Sequence, residues 1–222
     1  MALVGSTLAL AACDSDSSTS ISNTATVQFT NASNVSLDIT ADGAVAIGGS
    51  ALKYSTSSAC TSVDPVKAGL AVRTTGSSTA LPGFTPAFTP GGSYTVVAYP
   101  GTAGTMQFVT LSNAFTPASG QAGLRVVNVG PVGSSYDVYV TAPGAALGTP
   151  NASNVGVGTG SSYFNVSTTS AQEIRVTNAG TQTLVLTFGS SNTFTAGKQS
   201  TLVITAPATG ATLPSGFTIA GC

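Results

Sequence analysis

The feature that most constrains this 222-residue chain is a period of two, which runs through one half and then recurs in the other. Apolar residues alternate with polar ones at Val27 and Phe29, at Val35, Leu37 and Ile39, at Leu70 and Val72, and again at Leu124 and Val126. Such alternation turns every second side chain to one face of a strand. Gly, Pro, Asn and Ser separate the runs, as turns require. No window carries a 3.6-residue apolar stripe, so the expectation is an all-β sandwich or barrel.

The two halves align with each other. Residues 25–40 match 123–140, with Asn31 on Asn128 and Asp38 on Asp137. Residues 70–84 match 174–188, with Gly76 on Gly180 and Phe84 on Phe188; residues 87–98 match 193–204, with Phe88 on Phe194 and Gly91 on Gly197. The offset drifts in one direction, the behaviour of a repeat with loop insertions. A period of about 100 residues means two domains rather than a solenoid. The expected units are 24–117 and 122–222, joined by the polar segment Thr116-Pro-Ala-Ser-Gly-Gln121, which is short enough for the units to touch. Strands are expected at 25–30, 35–40, 44–47, 68–74, 93–99 and 105–112, then at 123–129, 136–141, 153–157, 162–166, 172–178, 183–188, 200–205 and 216–220. The expected inward faces carry Val27, Phe29, Leu37, Ile39, Val72, Val97 and Phe108, with Val126, Tyr136, Val138, Val176, Leu184, Leu186 and Ile204 as their counterparts.

The first residues read as an address. Met1–Ala12 is apolar and uncharged, too short for a spanning helix of about 20 residues but suited to the apolar stretch of a secretory signal. The basic segment that usually precedes such a stretch is missing, which points to a start upstream of Met1. Leu10-Ala11-Ala12-Cys13 resembles a bacterial lipobox, in which the Cys13 thiol takes the diacylglyceryl chain. The alternative is an ordinary cleavable signal with a chance cysteine. A signal peptide over 1–12, then lipidated Cys13 and a polar tether to residue 23, would hold the body at the membrane of the bacterial cell envelope, facing the periplasm. Asp14 directly after Cys13 resembles an inner-membrane retention signal, and the choice of inner or outer membrane stays open.

Three motifs in the repeated pieces resemble the bacterial domain of unknown function 4397 family. The second unit reads Leu124-Arg-Val-Val-Asn-Val-Gly-Pro131 and then Tyr136-Asp-Val-Tyr-Val140; the first supplies Phe88-Thr-Pro-Gly-Gly-Ser-Tyr-Thr-Val-Val-Ala98. The first unit departs from the pattern, with Thr30-Asn-Ala-Ser-Asn34 for Asn-Ala-Ser-Pro and Leu37-Asp-Ile39 for Val-Asp-Val. The resemblance covers both units. It implies two tandem immunoglobulin-like β-sandwich domains in an exported protein, and no agreed activity.

Composition narrows the chemistry. The chain has no His and no Trp, only 6% charged residues, and a formal net charge of −1. Without His the usual neutral-pH base and the commonest metal ligand are missing. Six scattered cations make no nucleic-acid footprint. A Ser–Lys dyad would need Lys53, Lys67 or Lys198, none of which stands in a Ser-x-x-Lys pattern on a helix. Glycoside hydrolysis needs two facing carboxylates, whereas Glu173 is the single Glu and Asp38 and Asp137 fall in different units. The expectation is a non-enzyme without cofactor or metal; Asp38–Gly43 reads as a turn rather than a calcium loop.

Asp38 and Asp137 are read either as loop braces or as shared ligand contacts. Tyr54, Tyr99, Tyr139 and Tyr163 are read either as core or as platforms for sugars; Asp38, Asp137, Tyr139 and Tyr163 are the candidate ligand-binding residues. With Cys13 lipidated, Cys60 and Cys222 remain, and a disulfide between them is expected in an exported chain. Two free thiols or an intermolecular bond are the alternatives. Partners are then the membrane, through the anchor, and an envelope protein or glycan. The functions weighed are a structural or interaction module, and a binder of glycan or peptide at loops or the domain junction.

Overall fold

The computed structural model describes residues 23–41, 44–65, 69–207 and 212–222. The signal segment, Cys13, the tether as far as Ser22, the Asp42-Gly43 turn and Lys67 lie outside the described residues. Among the described residues there is no α-helix, only one 3-10 turn at Thr102–Gly104.

The first sandwich has an inner and an outer sheet. The inner one is built on β1 (Ala25–Asn31), flanked by β4 (Thr56–Ser57) and β5 (Thr61–Val63) on one side and by β7 (Ser93–Pro100), then β8 (Met106–Ser112), on the other. β1 and β7 run parallel, with Val27 opposite Tyr94 and Phe29 opposite Val96; the other pairs are antiparallel. The outer sheet is β3 (Ala44–Leu52), β2 (Leu37–Ala41) and β6 (Ala71–Thr74), all antiparallel.

The second sandwich repeats this pairing. Its inner sheet is built on β9 (Gln121–Val129), with β12 (Thr159–Gly160) and β13 (Phe164–Ser167) on one side and β16 (Gln199–Thr205), then β17 (Ser215–Ala220), on the other. β9 and β16 are parallel, as β1 and β7 are. The outer sheet runs β11 (Ala152–Gly156), β10 (Ser135–Thr141), β14 (Gln172–Asn178), β15 (Leu184–Asn192).

Three apolar cores make the four sheets into four layers. Val27, Phe29, Leu37, Ile39, Val72 and Val96 fill the first sandwich; Leu124, Val126, Val138, Ile174, Val176, Leu202 and Ile204 fill the second. The third core lies between the two inner sheets and holds Val97, Tyr99, Val127, Val129, Val203 and Ile219. Alternation therefore serves two cores at once. Val96 points into the first sandwich and Val97 into the seam; Val126 points into the second and Val127 into the seam. A strand buried on both faces tends toward a continuous apolar run, as in Val96–Tyr99; in β9 the apolar pair Val126-Val127 is flanked by buried Arg125 and Asn128.

Several expectations need correction. Val97 belongs to the seam and not to the first sandwich's interior. Leu184 is 49% exposed at the start of edge strand β15, and Val35 is 40% exposed in the turn before β2. Phe108 and Leu186 are only half-buried, though each packs on its core. β4, β5 and β12, of two or three residues each, were too short for their periodicity to register.

Candidate functional site

The two equivalent aspartates do equivalent work. On β2, Asp38 accepts hydrogen bonds from the Thr75 hydroxyl (3.1 Å) and the Gly76 N–H (3.3 Å). On β10, Asp137 accepts from the Asn154 N–H (2.7 Å) and the Gly180 N–H (2.8 Å). Gly76 and Gly180 turn the chain out of β6 and β14 with φ of +81° and +72°, a region costly to any residue with a Cβ. Each carboxylate thus braces a glycine turn on the neighbouring strand. Asp137 is buried, and its bonds are the shorter; Asp38 sits in a more exposed setting. The two lie in different outer sheets and do not converge.

Tyr139, two residues after Asp137, is 4% exposed and offers no open ring face. It pairs across the ladder with Arg175, which donates to the Thr141 hydroxyl and to the Ala145 carbonyl and so draws the following loop over this face. Tyr99 is likewise buried, its hydroxyl donating to Gln107 Oε1 at 2.9 Å; burial raises its pKa above 10.0. Glu173 accepts the Gly144 N–H at 3.0 Å, and its Oε2 lies 3.5 Å from Arg175 Nε.

Tyr163 stands at the most polar part of the seam. Its ring stacks on Phe115 (centroids 5.1 Å, planes 17° apart), and the Arg125 guanidinium lies 4.6 Å from its centroid. Arg125 is 2% exposed and has no carboxylate within ion-pair distance among the described residues. Its donors go to Thr201 Oγ1 (2.9 Å), the Ser112 carbonyl (2.6 Å) and Asn113 Oδ1 (2.6 Å). Burial pulls its pKa below the ordinary guanidinium value, and the electrostatic influence of Tyr163 opposes that pull. A guanidinium supplies five donors in a fixed fork. Here the fork joins the end of β8 to β9 and β16, across the segment that passes between the sandwiches. Ala118 N–H bonds to Asn165 Oδ1 (3.0 Å) and Thr168 Oγ1 to the Gly120 carbonyl (2.6 Å), so that segment is held along its length. Sequence reasoning missed Arg125 and Asn113. The signal available for Arg125 was a charged residue set between Leu124 and Val126 in a strand of mostly apolar residues.

Cys60 and Cys222 form a disulfide, with Cα atoms 5.8 Å apart and a sequence separation of 162. It ties the last residue to the loop between β4 and β5, so the C-terminus of the second sandwich is fastened to the first. Elsewhere on the junction, Ala32, Asn34, Tyr54, Pro100, Thr205 and Pro207 line a groove of about 390 Å³ without a charged group. Tyr54 is 45% exposed; its hydroxyl lies 3.1 Å from Thr205 Oγ1, and its ring meets Phe217 edge-on at 5.9 Å. Of the four tyrosines weighed as platforms, it alone is exposed. Among the described residues no group of three potential ligands is arranged for a metal ion, and no helix is long and apolar enough to cross a membrane.

These observations define a double β-sandwich protein in which Asp38, Asp137, Glu173 and the buried Arg125 bond within the chain, and Cys60 is bridged to Cys222. The chain belongs to the family described as domain of unknown function (DUF4397), whose model matches residues 25–139. The match takes in every strand of the first sandwich and continues through β9 into β10. No curated protein matches the sequence.

Proposed function

We propose that the protein is a non-enzymatic, lipid-anchored module of the bacterial cell envelope, built from two copies of its family's domain and acting as a structural or interaction unit. The observation that carries this reading is the Cys60–Cys222 bridge. Disulfides persist in oxidising compartments, and this one leaves Cys13, in Leu-Ala-Ala-Cys, as the single remaining thiol among the three cysteines. The tandem reading is supported by the shared strand pairing, including the parallel pairs β1–β7 and β9–β16, and by the matched aspartate braces. A non-catalytic role is supported by the His-free composition and by the engagement of Asp38, Asp137 and Glu173 within the chain. The body would face the periplasm from either membrane.

The test is membrane partition. Wild-type protein expressed in a Gram-negative host should fractionate with membranes and incorporate labelled fatty acid, and Cys13→Ala should abolish both. Unchanged partition of the Cys13→Ala variant would sink the anchor.

A second reading, binding of an uncharged glycan or peptide at the domain junction, is favoured by the groove beside the exposed Tyr54. Aromatic rings with one open face stack on sugars and on peptide side chains. Tyr54→Ala should then lower retention on a column of the bound glycan or peptide while leaving the melting temperature nearly unchanged.

A further inference from the structure

The two sandwiches differ sharply at one repeated place. In the first, Tyr94 folds its ring back onto Phe88, with centroids 5.0 Å apart. Its hydroxyl accepts the Thr89 N–H at 3.1 Å and lies 2.7 Å from Thr89 Oγ1. A Cβ on residue 92 would stand 2.6 Å from the ring's Cε2, so Gly92 is what lets the ring lie there. The built-in phenol plugs this end of the sandwich, and Phe88 beneath it is 9% exposed.

The second sandwich keeps the frame and lacks the plug. Phe194 stands for Phe88, Thr195 for Thr89 and Gly197 for Gly91. The backbone bonds correspond: Gly91 and Gly92 donate to Thr24 and Thr89, and Gly197 and Lys198 donate to Gln121 and Thr195. Yet Ser200 replaces Tyr94, and Lys198 replaces Gly92. The result is a cleft of about 410 Å³, lined by Phe194, Thr195, Lys198 and Ser200 among others. Phe194 is less buried than Phe88. Among the described residues Lys198 has no carboxylate within 4.0 Å, and the Thr195 N–H has no acceptor.

We propose that this cleft binds a small aromatic acid, its ring laid on Phe194 and its carboxylate held by Lys198 and the Thr195 N–H. The ring takes the role that the Tyr94 ring plays in the first sandwich, displaced outward because Lys198 has a Cβ where Gly92 has none. Stacked or tilted rings gain beyond their buried area, a backbone N–H and an ammonium both donate to a carboxylate, and the volume is in the range of small-ligand sites. The same chemistry has two sources, a free aromatic acid and a peptide ending in an aromatic residue with a free carboxylate.

The experiment is ligand-observed saturation-transfer NMR and titration on the full chain in detergent. The probes are 4-hydroxybenzoate, neutral p-cresol, acetate, and a short peptide ending in Tyr with a free or an amidated terminus. We expect 4-hydroxybenzoate to bind better than p-cresol, and acetate not to bind. Lys198→Ala should weaken the acid roughly threefold, as for a solvent-exposed ion pair, and leave p-cresol unchanged. The double variant K198G/S200Y, which rebuilds the first sandwich's plug, should abolish binding of both. Lys198 is exposed, so its single variant keeps the test sound if the double variant does not fold. A peptide that binds with a free terminus and not when amidated assigns the site to chain ends; binding of the free acid alone assigns it to small molecules. The proposal is overturned if 4-hydroxybenzoate does not bind at millimolar concentration, if acetate binds equally well, or if a folded K198G/S200Y variant still binds the acid.

Discussion

Arg125 and Asn113 meet across the seam between the two sandwiches, with guanidinium Nη2 2.6 Å from the amide Oδ1. Asn113 is itself fixed: its Oδ1 also accepts the Thr95 hydroxyl at 3.1 Å, and its Nδ2 donates to Ser93 Oγ at 3.1 Å. The contact makes the end of the first sandwich and the first strand of the second one polar network, buried and, among the described residues, without a counter-charge.

Truncating this arginine should be costly, because it strands the buried acceptors of Thr201 and Asn113. Arg125→Ala is expected to lower unfolding free energy by about 3 kcal/mol, within the range for a broken buried charged network. Arg125→Met, which fills the volume without burying a cation, should cost less. Chemical denaturation of both variants checks the order; an Ala variant as stable as wild type would contradict the network.

Burial lowers the Arg125 pKa from its ordinary value, so the fold carries the cost of the charged form at every pH below the lowered value. That cost is constant through neutral pH and gives no slope there. Tyr99 acts at the alkaline end. Its folded pKa is raised by burial, so the unfolded chain ionises first, near pH 10.0, and stability falls as pH rises from there towards the folded value. Melting curves should show this alkaline decline, and Tyr99→Phe should flatten it.

The two aspartate braces should differ in worth. Removing the buried Asp137 strands the Asn154 and Gly180 N–H groups at a part-buried site, whereas the Asp38 bonds are longer and solvent-exposed. Asp137→Ala is expected to cost about 2 kcal/mol and Asp38→Ala less than about 1 kcal/mol. Thermal denaturation of each variant measures the difference, and equal costs would contradict the assignment by burial.

The disulfide closes a long loop, spanning 162 positions. The chain-entropy model gives such a closure up to about 5 kcal/mol, by restricting the unfolded chain. The double variant C60S/C222S should keep its β-sheet circular dichroism, since the three cores and the Arg125 network remain, but melt at a lower temperature. Reduction of the wild type should reproduce that shift and leave the double variant unaffected.

Most of the strands were legible because alternation and turn residues are local signals. Pro82-Gly83 and Pro90-Gly91 end runs as clearly as any pattern begins one. Alternation could not tell how many faces of a strand are covered. Val97 looks like first-sandwich core until a second sandwich is stacked on the other face of its strand. Leu184 looks like core until its place at an edge is known. The Asn31–Asn128 equivalence was visible, but its cause was not. Each amide sits at the end of its sandwich's first strand and donates across to the third, to the Leu52 and Val155 carbonyls at 2.8 and 3.0 Å, while its oxygen takes the N–H two residues on. The cleft at Phe194 was equally out of reach. Tyr94 and Ser200 align in the sequence, and only the ring folded over Gly92 reveals that one position plugs what the other leaves open.

The proposed function rests on a chain anchored through its first mature residue. Intact-mass and N-terminal peptide analysis of the protein extracted from host membranes tests it most directly. The expected product is a mature chain beginning at Cys13, with a diacylglyceryl thioether on its sulfur and Cys60 disulfide-bonded to Cys222. A mature chain that retains residues 1–12, or one with an unmodified Cys13 thiol, would contradict it.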